Sequence, residues 1–343
     1  MIMPYNIALN FEDGVTRFIT CNDDETVLDA AYRAHIRLPM DCSDGVCGTC
    51  KGACHQGKFD LGDEYIDDAL SDEELEAGKV LTCQMVPASD CVVEIPIASS
   101  LCKAGPTELT AVVDEVNLVS PTAIELKIIA QSPVEFLAGQ YVNIQVPGTQ
   151  ETRAYSFSSQ PGSDQLSFLI RNVSGGLMST WLVGKARTGD SLSLNGPMGS
   201  FYLRPVERPV LMLAGGTGLA PFLAMLEYLK VQAVEHPIHL IYGVTNEDDL
   251  VGLAALEAFA DIIPSFSYKT VVANPESQHP LTGYVTHHME DAALDQATDV
   301  YLCGPPPMVD AVLGYFRDNT IKPHSFHYEK FAPSLVSTKE KVA

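Results

Sequence analysis

Basic residues are scarce in this chain: 21 Lys and Arg stand against 44 Asp and Glu in 343 residues, a formal net charge of −23. That balance excludes nucleic acid and anionic membrane as partners, because the phosphate term would be repulsive. Long apolar runs are lacking too. The nearest approach to membrane length, Val210 to Leu226, is broken by Gly215-Gly216-Thr217-Gly218 and by Pro221, so it reads as strand, turn and helix. The opening residues, Met1 to Tyr5, have neither the basic flank nor the apolar core and cleavage site of a signal peptide. Nine cysteines without such a signal point to metal ligands and free thiols in a reducing compartment, hence to a cytoplasmic protein. Internal repeats and low-complexity runs are absent, and the length suits two or three domains.

What is present is dominated by Cys42, Cys47, Cys50 and Cys83. They follow C-x4-C-x2-C with a distant fourth cysteine, the ligand spacing of a plant-type [2Fe–2S] cluster. Two irons must each be enclosed tetrahedrally, and the loop Asp41–Cys50 supplies three thiolates in ten residues. Gly45 and Gly48 suit such a loop, since backbone amides must bend toward sulfur with no Cβ in the way. A four-cysteine zinc site is the main alternative, but zinc ligands come as two short knuckles and Cys83 has no such partner. Cys54 is a rival fourth ligand, and a [4Fe–4S] cluster would want a more compact run than Cys42-x4-Cys47. The chemistry indicated is electron transfer.

The charge excess is uneven. Residues 1–100 hold nineteen acidic and six basic residues, with a dense acidic run from Asp60 to Glu76. Such a run is ordinarily a solvated face; beside a redox centre it equally suits docking of a basic partner.

Three blocks follow one another. In the first (4–98), alternation over Asn6–Phe11 and Val15–Cys21 around Asp13-Gly14 predicts a hairpin. A helix over Glu25–Arg33 follows, with Asp23 or Asp24 as N-cap. Ala98–Pro106 has the composition of a linker. The second block (105–206) carries short strands at even spacing and one helix at Leu177–Val183, the mark of an antiparallel barrel or sandwich. In the third (207–335), strands alternate with helices at Pro221–Lys230, Asp249–Ala260, Val285–Ala293 and Pro307–Asn319, which implies a parallel sheet covered on both faces.

Gly215-Gly216-Thr217-Gly218 between a strand and a helix can cradle a pyrophosphate, though it matches neither a P-loop nor the usual G-x-G-x-x-G. Taken alone, it is as easily a tight turn. Cys303-Gly304-Pro305 ends another strand at the same sheet edge, where open α/β sheets bind ligands. Arg153 and Tyr155 share one face of a strand and Ser156 lies on the other, so an Arg for phosphate and a Tyr for a flat ring stand together. Gly175-Gly176 through Ser179 opens a helix, a second phosphate cradle.

In this order, these motifs and a late Glu-Lys-Phe resemble the ferredoxin–NAD(P)H reductase superfamily, over residues 5–331. More narrowly they are similar to reductase components of benzoate and anthranilate 1,2-dioxygenase systems. The resemblance implies a β-grasp [2Fe–2S] ferredoxin domain, an antiparallel β-barrel FAD domain and a parallel-sheet α/β NAD-binding domain. It implies that Arg153, Tyr155 and Ser156 hold FAD, with Ser156 near the flavin N5. Gly176 and Ser179 would meet its pyrophosphate. Gly215, Gly216, Thr217, Cys303, Gly304 and Pro305 would bind the nicotinamide coenzyme, and Phe331 would cover the flavin. Ser156, Cys303 and Phe331 are the expected catalytic set. One departure is the tail, twelve residues beyond Phe331.

The implied route is NADH to FAD to [2Fe–2S] to a terminal ring-hydroxylating oxygenase. A flavin is needed on physical grounds, because NADH yields two electrons together and the cluster takes one. NADH is expected over NADPH, since the loop Tyr242–Leu250 offers Glu247, Asp248 and Asp249 and no cation. Two alternatives stand beside this reading: a reductase for a phenol- or methane-type monooxygenase, and a non-enzymatic ferredoxin-like carrier with a vestigial nucleotide-binding domain.

Overall fold

The computed structural model describes residues 4–40, 45–46, 48–63, 65–67, 69–102, 107–289 and 297–331. Contacts divide the chain into two compact units, one of residues 1–107 with 198–200, the other of the remainder.

In the first unit β1 (Tyr5–Phe11) and β2 (Thr16–Cys21) form the expected hairpin. The helix α1 (Val27–Arg33) starts later than its periodicity predicts. Asp24 sits at φ 59°, a left-handed conformation outside the helix, and Thr26 is the N-cap, its hydroxyl accepting from Asp29 N–H. There follow β3 (Lys51–Gln56), β4 (Phe59–Asp60), α2 (Asp72–Glu76), β5 (Lys79–Leu81), β6 (Val86–Pro87) and β7 (Cys91–Ile95). The main sheet has the order β2-β1-β7-β3-β5, parallel between β1 and β7 and antiparallel elsewhere. Packing α1 across this mixed sheet gives a β-grasp. Part of the expected linker belongs to this unit, because Ser99 donates through N and Oγ to Asp13 Oδ2 and Cys102 O accepts from Arg37 N.

The second unit opens with the barrel strands β8 (Thr107–Ser120), β9 (Ala123–Val134), β10 (Tyr141–Gln145), β11 (Thr152–Ser156) and β12 (Ser163–Arg171). The helix α3 (Leu177–Gly184) and β13 (Ser191–Met198) complete this lobe. The strand order is β11-β10-β13-β8-β9-β12, and Phe157 just after β11 bridges Phe168 of β12, so the two edges of the sheet meet there. Phe157 is fully buried, stacks on Phe136 at 4.0 Å and meets Phe168 in a tilted contact at 5.4 Å, filling the barrel interior.

The last lobe holds β14 (Val210–Gly215), α4 (Ala220–Leu229), β15 (Ile238–Val244), α5 (Leu253–Ile262), β16 (Phe266–Val272), β17 (Asp299–Gly304), α6 (Pro306–Asp318) and β18 (Ser325–Lys330). The order β16-β15-β14-β17-β18 is parallel throughout and reverses between β14 and β17. That reversal is where doubly wound sheets open a crevice at their carboxyl edge. Every residue of β14 and β17 is buried, as expected for central strands covered on both faces.

Two helices differ from expectation. The one expected from Asp249 starts at Leu253, because Glu247–Asp249 forms a separate 3-10 turn closed by Leu250, and Gly252 at φ 71° is the N-cap of the helix. The one expected over Val285–Ala293 is a 3-10 turn at Val285–His288, and its remaining residues from 290 lie outside the described ones. No described helix is long and apolar enough to cross a membrane.

Candidate functional site

The two glycine motifs, 85 residues apart in sequence, pack backbone against backbone at the crevice. A Cβ on Gly218 would lie 2.2 Å from Cys303 O. One on Gly215 would lie 2.5 Å from Met308 Sδ and 2.9 Å from Pro305 Cδ. Only glycine fits at either place. Gly216 differs: its φ of 55° turns the chain, and a Cβ there would meet nothing within 4 Å. The turn therefore presents bare backbone ahead of α4, whose first turn carries Pro221. These features fit a dinucleotide phosphate group.

Beside this turn, Ser156 Oγ at the end of β11 donates to Glu329 Oε2 at 3.2 Å. Cys303 Sγ points to the same oxygen at 3.9 Å. Burial, and then the Glu329 carboxylate, push the Cys303 thiol far above its ordinary range, so it stays protonated and can donate to that carboxylate. Phe331 N–H donates to Gly304 O at 3.0 Å, and the Phe331 side chain packs against the core shared by barrel and sheet. Ser156, Cys303 and Phe331 are thus brought together across 175 residues. Glu329 belongs to the Glu-Lys-Phe run but has no role assigned from sequence; only the pairing of β18 with β17 places it here.

Tyr155 packs on the barrel core, and burial pushes its phenol up, which keeps it a neutral ring. The Arg153 guanidinium donates to Thr152 O at 2.6 Å and Glu151 Oε2 at 3.2 Å. Gly176 caps α3, with a Cβ there only 3.1 Å from Val173. Ser179 Oγ is buried, accepts from Val173 N–H and donates to Arg171 O. Its hydroxyl shapes the loop before α3. A positive side chain, a flat apolar ring and a glycine helix start lie on one lobe and fit a flavin dinucleotide.

Of the acids on the loop after β15, Asp249 does not face solvent. Its Oδ1 accepts from Thr122 Oγ1 at 2.6 Å and its Oδ2 from Asn246 N–H, leaving Glu247 and Asp248 exposed.

In the first unit, Cys50 Sγ donates to Cys83 Sγ at 3.2 Å; Cys42 and Cys47 lie outside the described residues. The Cys50 hydrogen bond draws the Cys83 thiol down to about 7 against the effect of burial, helped by the Gly45 amide. Gly45 and Gly48 stand at φ 76° and 72°. Converging sulfurs met by a backbone amide fit a thiolate-bound iron centre. The other thiols are of a different kind. Cys21 bonds Glu25 O, Cys54 bonds Gln56 O and Cys91 bonds Ser89 O. Burial raises all three, to about 12 for Cys21 and about 11 for Cys91.

The acidic run is tied to the same loop, since Ile66 N–H donates to Gly45 O at 3.2 Å. Asp63, Asp67, Asp72, Glu73 and Glu76 are exposed, and α2 is held by a capping box between Ser71 and Glu74.

Three family models match in the order of these lobes: a 2Fe-2S iron-sulfur cluster binding domain over 10–88, an oxidoreductase FAD-binding domain over 110–202 and an oxidoreductase NAD-binding domain over 212–313. The toluate 1,2-dioxygenase electron transfer component of Pseudomonas putida is 55% identical over 97% of this chain and 100% of its own length. The chain belongs to the family of benzoate-type 1,2-dioxygenase electron transfer components. The anthranilate 1,2-dioxygenase electron transfer component of Acinetobacter baylyi is 42% identical over 97% of this chain and 98% of that protein. Among solved structures, the Amycolatopsis cytochrome P450 reductase GcoB aligns with a TM-score of 0.70 at 30% identity, covering 95% of this chain and 99% of that one. This family member is accordingly an NADH-dependent iron–sulfur flavoprotein oxidoreductase.

Cys83→Ser is expected to abolish cluster assembly, whereas Cys21→Ser, Cys54→Ser and Cys91→Ser should each retain it. Iron and acid-labile sulfide analysis of the purified variants checks this; a cluster lost with Cys54 and kept without Cys83 would overturn the ligand set.

Proposed function

We propose that this reductase serves the terminal oxygenase of an aromatic-acid 1,2-dioxygenase in the cytoplasm. The observation that carries the reading is the convergence of the Gly215–Gly218 turn, the Cys303–Pro305 turn, Ser156 and Phe331 at one sheet edge. When bound, FAD would supply the exchange between a two-electron hydride donor and a one-electron iron–sulfur centre. The chain's own residues do the rest. Arg153 neutralises the FAD phosphates, Tyr155 stacks on its flat ring system, and Gly176, on the loop fixed by Ser179, lets backbone amides approach its pyrophosphate. Gly215, Gly216 and Thr217 hold the coenzyme pyrophosphate, and Gly304 and Pro305 wall the nicotinamide pocket. Ser156 Oγ donates toward the flavin N5 region once it leaves Glu329. The Cys303 thiol and the Phe331 ring border the transfer site and keep water out of it. Cys42, Cys47, Cys50 and Cys83 hold the cluster.

Coenzyme choice rests on Glu247 and Asp248, exposed on a loop without a cation, with Glu247 Oε2 held by Ser277 Oγ at 3.0 Å. A ribose hydroxyl can donate to such acids, whereas a 2′-phosphate is repelled. The expected kcat/KM with NADH exceeds that with NADPH by roughly tenfold or more, because like charges in contact disfavour binding strongly. Steady-state assays with both coenzymes test this, and equal values would contradict it.

The exposed acids tied to the cluster loop also suit a basic face on the oxygenase. Raising salt should slow stopped-flow reduction of the oxygenase far more than reduction of the flavin by NADH. Neutralising Asp67 and Glu73 together should reproduce part of that loss at low salt. A wild-type rate in that double variant would reduce the acidic run to a solvated face.

A further inference from the structure

Asp249 is one of eight described polar or charged residues that are buried, and its contacts reach from one lobe to another. Thr122 belongs to the turn between β8 and β9 of the barrel, and Asp249 to the loop after β15 of the parallel sheet. Each end of their 2.6 Å bond is itself anchored. On the barrel side, Thr122 N–H donates to Ser120 Oγ and Thr122 O accepts from Asn172 N–H. On the other side, Asp249 Oδ2 accepts from Asn246 N–H and Nδ2, and Asp249 O from the hydroxyl of the fully buried Tyr242. Three neutral donors satisfy this buried carboxylate, and only the Thr122 hydroxyl comes from the barrel.

A second polar tie between the same lobes is the Ser156–Glu329 bond. In the sheet order, the strand preceding Asp249 and the strand carrying Glu329 are three positions apart, about 14 Å at ordinary strand spacing. Two ties so separated, added to the apolar core that the lobes share, restrict rotation of one lobe on the other more than either tie alone. On the roles proposed above, the Ser156–Glu329 tie sits where nicotinamide and flavin meet, and it opens during turnover. The Thr122–Asp249 tie, next in the chain to Glu247 and Asp248, lies on the ribose side of that proposed arrangement and need not open.

Resting on the FAD and NADH roles proposed above, we infer that Thr122 and Asp249 are positioning residues for hydride transfer. Their bond holds the coenzyme-bearing lobe in register with the flavin-bearing barrel while the Ser156 side opens. Hydride transfer requires donor and acceptor at about 3–3.5 Å, so a small rotation about the remaining contacts affects the transfer step more than coenzyme affinity. The same bond explains why Asp249 takes no part in coenzyme choice, leaving that to Glu247 and Asp248.

The test uses the holoprotein and the variants Thr122→Val, which keeps shape but removes the hydroxyl, and Thr122→Ser, which keeps the hydroxyl. Flavin reduction is followed anaerobically in the stopped flow over a range of NADH concentrations. Amide hydrogen exchange over residues 246–251 is measured without coenzyme. For Thr122→Val the limiting rate should fall about tenfold with the apparent NADH dissociation constant changed by less than about twofold, and the 246–251 amides should exchange faster. Thr122→Ser should restore both readouts. The inference is overturned if Thr122→Val reduces its flavin at the wild-type limiting rate, or if Thr122→Ser loses as much rate as Thr122→Val. Failure of NADH to reduce the wild-type flavin would remove the underlying functional reading as well, and is recognised separately.

Discussion

Everything at the crevice depends on the close approach of two backbone turns at the switch point between β14 and β17. Gly218 lies so near Cys303 O that no larger residue fits, and Gly215 packs on Pro305 and Met308 in the same way. Because the turns touch, the Cys303 thiol is sealed from water, and Gly304 O is placed to receive Phe331 N–H. β18, paired with β17, then carries Glu329 to Ser156. Loss of either glycine would separate these groups at once, although none of them is adjacent in sequence.

The chain treats sulfur in two opposite ways. Cys83 is drawn toward the thiolate by a neighbouring thiol and a backbone amide, the environment an iron ligand needs. Cys21, Cys91 and Cys303 are pushed away from it by burial, and remain neutral donors to backbone or carboxylate oxygen. Residue type alone does not distinguish a ligand from a core thiol; spacing and burial together do.

Features governed by local spacing were legible from sequence: the cysteine run, the glycine turns, the alternation of strands and helices, and the Arg153–Ser156 strand. What escaped it was decided by distant partners or by single backbone conformations. Thr26 rather than Asp23 or Asp24 caps α1 because Asp24 adopts a left-handed φ. The helix expected at Asp249 begins at Leu253 because Gly252 interrupts it. Asp249 reads as a coenzyme-facing acid beside Glu247 and Asp248, yet a hydroxyl 127 residues earlier turns it inward. Glu329 lay within a recognisable tripeptide, but its contacts with Ser156 and Cys303 follow only from sheet pairing. The acidic run is adjacent to the cluster loop in space because Ile66 hydrogen-bonds to Gly45, which chain proximity alone does not require.

The central claim is that one chain takes electrons in pairs and hands them on singly. Anaerobic titration of the purified protein with NADH, followed by absorbance and by electron paramagnetic resonance, tests it most directly. With one two-electron flavin and one one-electron cluster per chain, full reduction is predicted at about one and a half NADH, with the signal of a reduced [2Fe–2S] centre at the end point. An end point at about one NADH with the cluster still oxidised would contradict the account.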